Sequence, residues 1–278
     1  MKLQKGMRVF GNIKDISDQI TINTGVHEVL EYKGLKYFED AYIPVHTWRS
    51  LTSVESKLLV ATNAKFSNYN KNLYVGEISK KLKDAFNLLD LKSCTQPTEV
   101  YPKFEDNKAN TKKVNTALHS FLKDCSSTGN FKFHKITRAM PNRETMTSFY
   151  VDDSFLYVGL HIDQSKHFKI HTAHKSGNRI SINLSNETRT LIFTNLTLIQ
   201  IYNLVRKKID VKKIQLNPDN IATYFFKHYP DYPVIKLGIK PYQYYVAPTD
   251  NFFHDASTVG TKEIDITIVY TGLFDQLS

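Results

Sequence analysis

From residue 131 onward the sequence breaks into short runs rich in β-branched and aromatic residues, separated by polar turns: 132–139, 147–151, 155–162, 179–184 and 190–198. Two helical stretches, 199–208 and 217–229, interrupt the pattern, and strands return at 234–239, 243–247 and 264–270. Strands this short, without a helix between each pair, suit a sandwich or a barrel-like pair of sheets better than a doubly wound parallel sheet. The 17 Phe and 16 Tyr, with many Ile and Thr, fit the same pleated, half-buried surfaces. The expected class is α+β, predominantly β.

The first hundred residues are less regular. Strand-like runs at 19–23, 42–45 and 57–61 precede one amphipathic helix over 75–91, where Ile78, Leu82, Ala85, Phe86 and Leu89 keep helical three-and-four spacing. The polar stretch 103–113 reads as a loop or linker, and 114–123 as a short helix. We therefore expect residues 1–113 to form an N-terminal α/β elaboration packed on a core built from 114–278, the two making one continuous globular unit. There is no internal repeat and no low-complexity tract.

Composition narrows the function classes. No apolar run is long enough to span a bilayer, and residues 1–10 lack the apolar stretch and small-residue cleavage site of a signal peptide, so a cytosolic protein is expected. With only Cys94 and Cys125, a disulfide framework is excluded, although one bridge between them is open; any metal must rely on His and carboxylate. The net charge of +10 invites a nucleic-acid reading. The lysines are scattered, however, and no RNA-binding aromatic signature or zinc-finger spacing accompanies them, so a solvated basic surface or an acidic partner is the better reading.

One run carries chemistry. In Phe155-Leu-Tyr-Val-Gly-Leu-His161-Ile-Asp163 an apolar strand ends in a His and an Asp two positions apart. Strand side chains alternate, so both point to one face. Two such donors are two corners of the 2-His-1-carboxylate arrangement that suits non-haem iron(II) and leaves positions open for substrate and oxygen. The pattern alone is common. A later segment, Pro-Tyr-Gln-Tyr-Tyr-Val-Ala-Pro-Thr-Asp-Asn-Phe-Phe-His254, supplies a strand, a turn and the second His. Taken singly, each His is as readily a satisfied or exposed imidazole.

Together these residues resemble the 2-oxoglutarate/Fe(II)-dependent oxygenase superfamily, in particular bacterial biosynthetic enzymes in which a Gly-Leu-His-x-Asp strand is followed by a segment like 178–184 (Asn-Arg-Ile-Ser-Ile-Asn-Leu), and later by segments like 245–251 and 254–258. The resemblance covers about residues 131–274. It implies a double-stranded β-helix (jelly-roll, cupin-like) core with flanking helices, Fe(II) held by His161, Asp163 and His254, and 2-oxoglutarate chelating that iron. Many members carry an Arg about ten residues after the second His, on the last strand; here that stretch is Lys262-Glu-Ile-Asp-Ile-Thr267. A guanidinium is the natural fork for a buried carboxylate. Arg179 and Arg189 are the best substitutes, with Arg138 and Lys262 behind them, because other branches of the superfamily place this cation on an earlier strand.

Thr267 is a candidate hydrogen-bond donor to the same carboxylate. Asn183 and Asn195, polar residues within apolar strands, need partners if buried; cosubstrate or ligand contact is one solution and backbone pairing the other. His167, His171 and His174 crowd the stretch after Asp163 without the spacing of a helical zinc motif, which reads as a loop over the barrel mouth, with Lys166, Lys169 or Lys175 positioned to meet substrate. The implied reaction is hydroxylation of an amino acid, peptide or carrier-bound aminoacyl substrate, and the basic surface would suit an acidic partner protein carrying it; a carboxylate at position 163 argues against halogenation. A metal-dependent cupin that does not use 2-oxoglutarate, and a non-enzymatic basic module for nucleic acid or an acidic partner, are the competing readings.

Overall fold

The computed structural model describes residues 1–61, 65–164 and 167–277. In chain order, β1 (Val9–Gly11), β2 (Ile20–Ile22), the hairpin β3 (Val26–Tyr32) and β4 (Leu35–Pro44), and β5 (Arg49–Ser50) lead to α1 (Ser53–Leu59), β6 (Val60–Ala61) and β7 (Leu73–Glu77). Three helices follow: α2 (Lys80–Asn87), α3 (Val100–Glu105) and α4 (Lys108–Asp124). Next come β8 (Phe131–Ala139), β9 (Ser148–Val151), β10 (Ser154–Tyr157), β11 (Asn178–Asn183) and β12 (Arg189–Phe193), and then helices α5 (Leu198–Val205) and α6 (Ile221–His228). The chain closes with β13 (Ile235–Ile239), β14 (Gln243–Ala247), β15 (His254–Ser257) and β16 (Asp265–Gly272).

These strands make a seven-stranded sheet, β6-β1-β7-β14-β11-β16-β8, a five-stranded sheet, β15-β12-β13-β2-β5, and a four-stranded sheet, β3-β4-β10-β9. Side-chain alternation decides what fills the space between them. On β12, Leu191 and Phe193 join Leu237 and Ile239 against Val75, Tyr245 and Ala247 of the larger sheet, forming the layer between the two sheets. Ile192 points the other way, onto α5 and α6 through Ile201, Val205, Phe225 and Phe226. On β11, Ile180 and Ile182 face the helical layer of Leu82, Phe86, Val114, Leu118 and Leu122, which turns Arg179, Ser181 and Asn183 inward. The result is a helix, sheet, sheet, helix stack, a sheet-rich α+β architecture.

Several local expectations change. The stretch 103–113 is mostly helical rather than a loop: α4 begins with Asn107 accepting from the Asn110 N–H at 3.3 Å, and Val114, Leu118 and Leu122 anchor one face at four-residue spacing. Residues 57–59 belong to α1, which a capping box of Thr52 and Glu55 initiates. The helix expected from 75 starts at Lys80, because the preceding residues pair with β1 and β14. Helix α4 runs unbroken across 113/114, and strands from both sides of that point share sheets. Cys94 and Cys125 are both free and buried. Among the described residues no helix is long and apolar enough to cross a membrane.

Candidate metal centre

The expected strand 155–162 ends early, at Tyr157. Gly159 then takes a positive φ of 74°, and a Cβ there would sit 2.5 Å from the Tyr42 carbonyl oxygen, so only glycine fits without strain. The bend lets the Leu160 N–H donate to that same carbonyl at 2.9 Å and delivers His161 to the end of β15. There His161 and His254 form an isolated antiparallel bridge, each N–H donating to the other's carbonyl at 3.1 and 2.8 Å. Directly paired residues project side by side on one face. Asp163, two residues on, returns to that face while its own N–H donates to the Thr249 carbonyl at 3.1 Å. The alternation logic thus holds even though the strand does not extend this far. We expect Gly159→Ala to cost about 1–3 kcal/mol in urea denaturation and to weaken metal binding, because the displaced segment carries His161.

The ligand atoms of His161, Asp163 and His254 lie within 4.8 Å of one another. His161 Nδ1 is 2.9 Å from the Gly159 carbonyl oxygen and His254 Nδ1 is 3.3 Å from that of Phe252. With each Nδ1–H donated to its carbonyl, both rings direct the Nε2 lone pair at Asp163, at 3.8 and 3.4 Å from its two oxygens. Such fixing of the tautomer through the remote nitrogen is how metal-binding imidazoles are held. Donors bonded to one ion at roughly 2.0–2.2 Å stand at most about 4.4 Å apart, and both Nε2–carboxylate separations fall inside that limit. The three side chains are 14, 18 and 8% exposed, so the centre is largely sheltered from solvent.

Electrostatics favour a cation here. Burial pushes the Asp163 carboxyl up, but the neighbouring His161 and His254 imidazoles and the charge of Arg179 outweigh it and hold the group well below the usual carboxylate range. For His161, burial pushes down while Asp163 and Asp255 push up, and the ring is held above its ordinary value. A proton therefore competes with a metal at that ring, as it does at any imidazole ligand. Asp255, which sequence reasoning passed over, is buried with Oδ2 3.8 Å from His161 Nδ1 and accepts from the Met146 and Thr147 backbone and the Thr147 hydroxyl. Its only sequence signal is adjacency to His254, which by alternation puts it on the opposite face of β15.

Of the residues expected to pair with the cosubstrate, Arg179 alone reaches the triad, with Nη1 2.9 Å from Asp163 Oδ2 and 3.4 Å from His134 Nε2. Arg189 lies at the far end of β12, its Nε 3.1 Å from Asp265, both side chains at most 5% exposed. Thr267 stands beside that same Asp265. Arg138 turns outward, donating to the Pro97 carbonyl and stacking on Tyr101 at 4.2 Å. Asn183 donates to the Glu187 and Ile239 carbonyls and accepts from the Ser185 N–H, and Asn195 donates to the Gln4 carbonyl and accepts from the Tyr232 hydroxyl. Both amides are therefore occupied by partners within the fold, the blander of their two readings. The Lys262 side chain is exposed.

The His-rich stretch forms a 3-10 helix, Ile170–Lys175, in which His171 packs on Tyr202 and His174 borders a cleft. His167 and Lys169 are exposed, and Lys166 lies outside the described residues. None of these histidines joins the metal group. The cleft has a volume of about 660 Å³, with Arg179 and Thr249 in its wall, the two residues bonded to Asp163.

No protein-family model matches the sequence, and no curated protein matches it. Solved structures of the Kdo hydroxylase KdoO, a non-haem Fe(II) α-ketoglutarate-dependent dioxygenase, are similar to this chain at 12% identity. The apo form has a TM-score of 0.36 over 78% of this chain and 88% of that one. The complex with α-ketoglutarate and Fe(III) has 0.36 over 78% and 87%, and the complex with succinate and Fe(III) 0.37 over 78% and 88%. Likeness of this size leaves the functional reading to the site's own geometry.

Proposed function

We propose that this chain is a non-haem Fe(II)/2-oxoglutarate-dependent oxygenase that hydroxylates its substrate. The convergence of two Nε2 donors, each oriented by a backbone carbonyl, and one carboxylate held by Arg179 carries the proposal. The strand order supports it: β14-β11-β16-β8 faces β15-β12-β13, with His161 pairing onto β15, as a double-stranded β-helix would require. The donor set fits Fe(II), which His161, Asp163 and His254 would hold. Bound there, iron with 2-oxoglutarate supplies the oxidising power for C–H hydroxylation.

The protein's own residues supply position and charge. The Gly159 and Phe252 carbonyls fix both imidazole tautomers, Asp255 sits behind His161, and Arg179 holds the second oxygen of Asp163. Arg179 is the guanidinium we assign to 2-oxoglutarate, since a metal would take over the Asp163 charge that now occupies it. The proposed substrate class is an amino acid, a peptide or a carrier-bound aminoacyl group, the last presented by an acidic partner.

Anaerobic titration with Fe(II) and 2-oxoglutarate tests the reading through the weak visible charge-transfer band of the chelate. Arg179→Met is expected to weaken 2-oxoglutarate binding at least about tenfold while iron still binds. One observation favours a metal-dependent cupin that does not use 2-oxoglutarate: the other inward guanidinium, Arg189, is neutralised by Asp265. Iron binding without the band would support that alternative and overturn the cosubstrate.

A further inference from the structure

The cleft next to the metal centre is not explained by the metal site itself. Its volume of about 660 Å³ is that of a small-molecule pocket. Lys132 enters its wall from β8 and Lys175 from the end of the Ile170–Lys175 3-10 helix, so lysines approach from two different elements, while Arg179 on β11 is ion-paired with Asp163. Among the described residues neither lysine is ion-paired with a carboxylate of this chain. The one carboxylate in the wall, Asp250, is 4% exposed and engaged within the fold. Tyr69 and Phe131 add aromatic surface, and Thr128, Asn130 and Ser176 add hydroxyl and amide groups. A concave site with several cations and no exposed anion concentrates negative ligands and positions their charged groups.

We infer that this cleft is the substrate pocket and that it selects small molecules carrying an oxyanion, a carboxylate or a phosphate, held by Lys132 and Lys175. The inference deepens the oxygenase reading, on which the word substrate rests, and it narrows the class: a free amino acid keeps a carboxylate for the lysines, whereas an aminoacyl thioester has lost it. Arg179 and the Thr249 carbonyl, which touch Asp163 as well as the cleft, make the two sites adjacent.

The test needs neither metal nor turnover. In the amide NMR spectrum of the full chain, the Gly177 and Gly272 signals report from the cleft wall. Titration with inorganic phosphate, with acetate, and with glycerol as a neutral control is expected to shift these signals saturably for at least one anion and not for glycerol. A response to phosphate alone specifies a phosphorylated substrate, and a response to acetate alone a carboxylate one. Lys132→Glu/Lys175→Glu is expected to weaken anion binding at least about tenfold. If circular dichroism shows that variant unfolded, Lys132→Gln and Lys175→Gln, each expected to weaken binding about two- to fivefold, replace it. No saturable shift for either anion, or equal affinity in wild type and folded variants, overturns the inference. Absence of the iron/2-oxoglutarate band alongside intact phosphate or acetate shifts would remove the oxygenase reading and leave the anion site standing.

Discussion

His254→Ala is expected to lose more than about 100-fold in Fe(II) affinity in anaerobic titration, with the fold retained. Replacing partners of metal ligands typically costs 10- to 100-fold, and removing a ligand costs more. The loss falls on the metal because the fold does not depend on this ring: His254 contributes to the sheet through its backbone, which exchanges two hydrogen bonds with His161 and pairs with Phe193 on β12. Alanine keeps all of these. His161→Ala is expected to behave in the same way, since Gly159 rather than the imidazole sets the local bend. Asp163→Ala adds a second effect, removing the carboxylate with which Arg179 pairs at 2.9 Å.

The largest stability effect is expected at a pair remote from the iron ligands. Arg189→Met leaves the Asp265 carboxylate buried without its counter-ion, with only the Ser185 and Thr267 hydroxyls beside it. Breaking a buried ion pair on one side costs about 3–5 kcal/mol, which urea denaturation resolves easily. Burial already raises the Asp265 carboxyl above its ordinary value, and without Arg189 the shift grows. The sign follows. A carboxyl whose folded pKa exceeds its unfolded one binds its proton more tightly in the native state, so stability falls as pH rises from the unfolded value to the folded one. The variant is therefore expected to be least impaired in acid, where Asp265 is protonated, and most impaired at neutral pH. Arg189→Met/Asp265→Leu, which removes both charges, is expected to recover most of the loss.

The two positions mark what the sequence could and could not disclose. His161, Asp163 and His254 were legible because side-chain alternation is local: two-residue spacing puts a His and an Asp on one face wherever the backbone is extended. That His254 is the direct cross-strand neighbour of His161 was not legible, because register between distant segments is set by the whole sheet. The same holds for the Arg189 and Asp265 pair, whose members look like a cation and an anion that each begin a strand until β12 and β16 face each other.

The inward and outward faces of β11 could be anticipated from its alternating residues, whereas the apolar run of β12 gives no such pattern. The helix over 114–123 was legible from Val114, Leu118 and Leu122, but the start of α4 at Lys108 and the whole of α3 were not, because the polar stretch 103–113 carries no apolar stripe of its own. Gly159 carried a signal that was available and unused: a glycine inside an apolar strand pattern marks a bend or a close backbone approach, and here it marks both.

Anomalous diffraction at the iron edge, from crystals grown anaerobically with Fe(II), tests the central claim most directly. The expected result is one strong iron peak within about 2.0–2.3 Å of His161 Nε2, His254 Nε2 and an Asp163 carboxylate oxygen. A map with no peak at that point, or with iron held by other side chains while these three stay as they are, would contradict it.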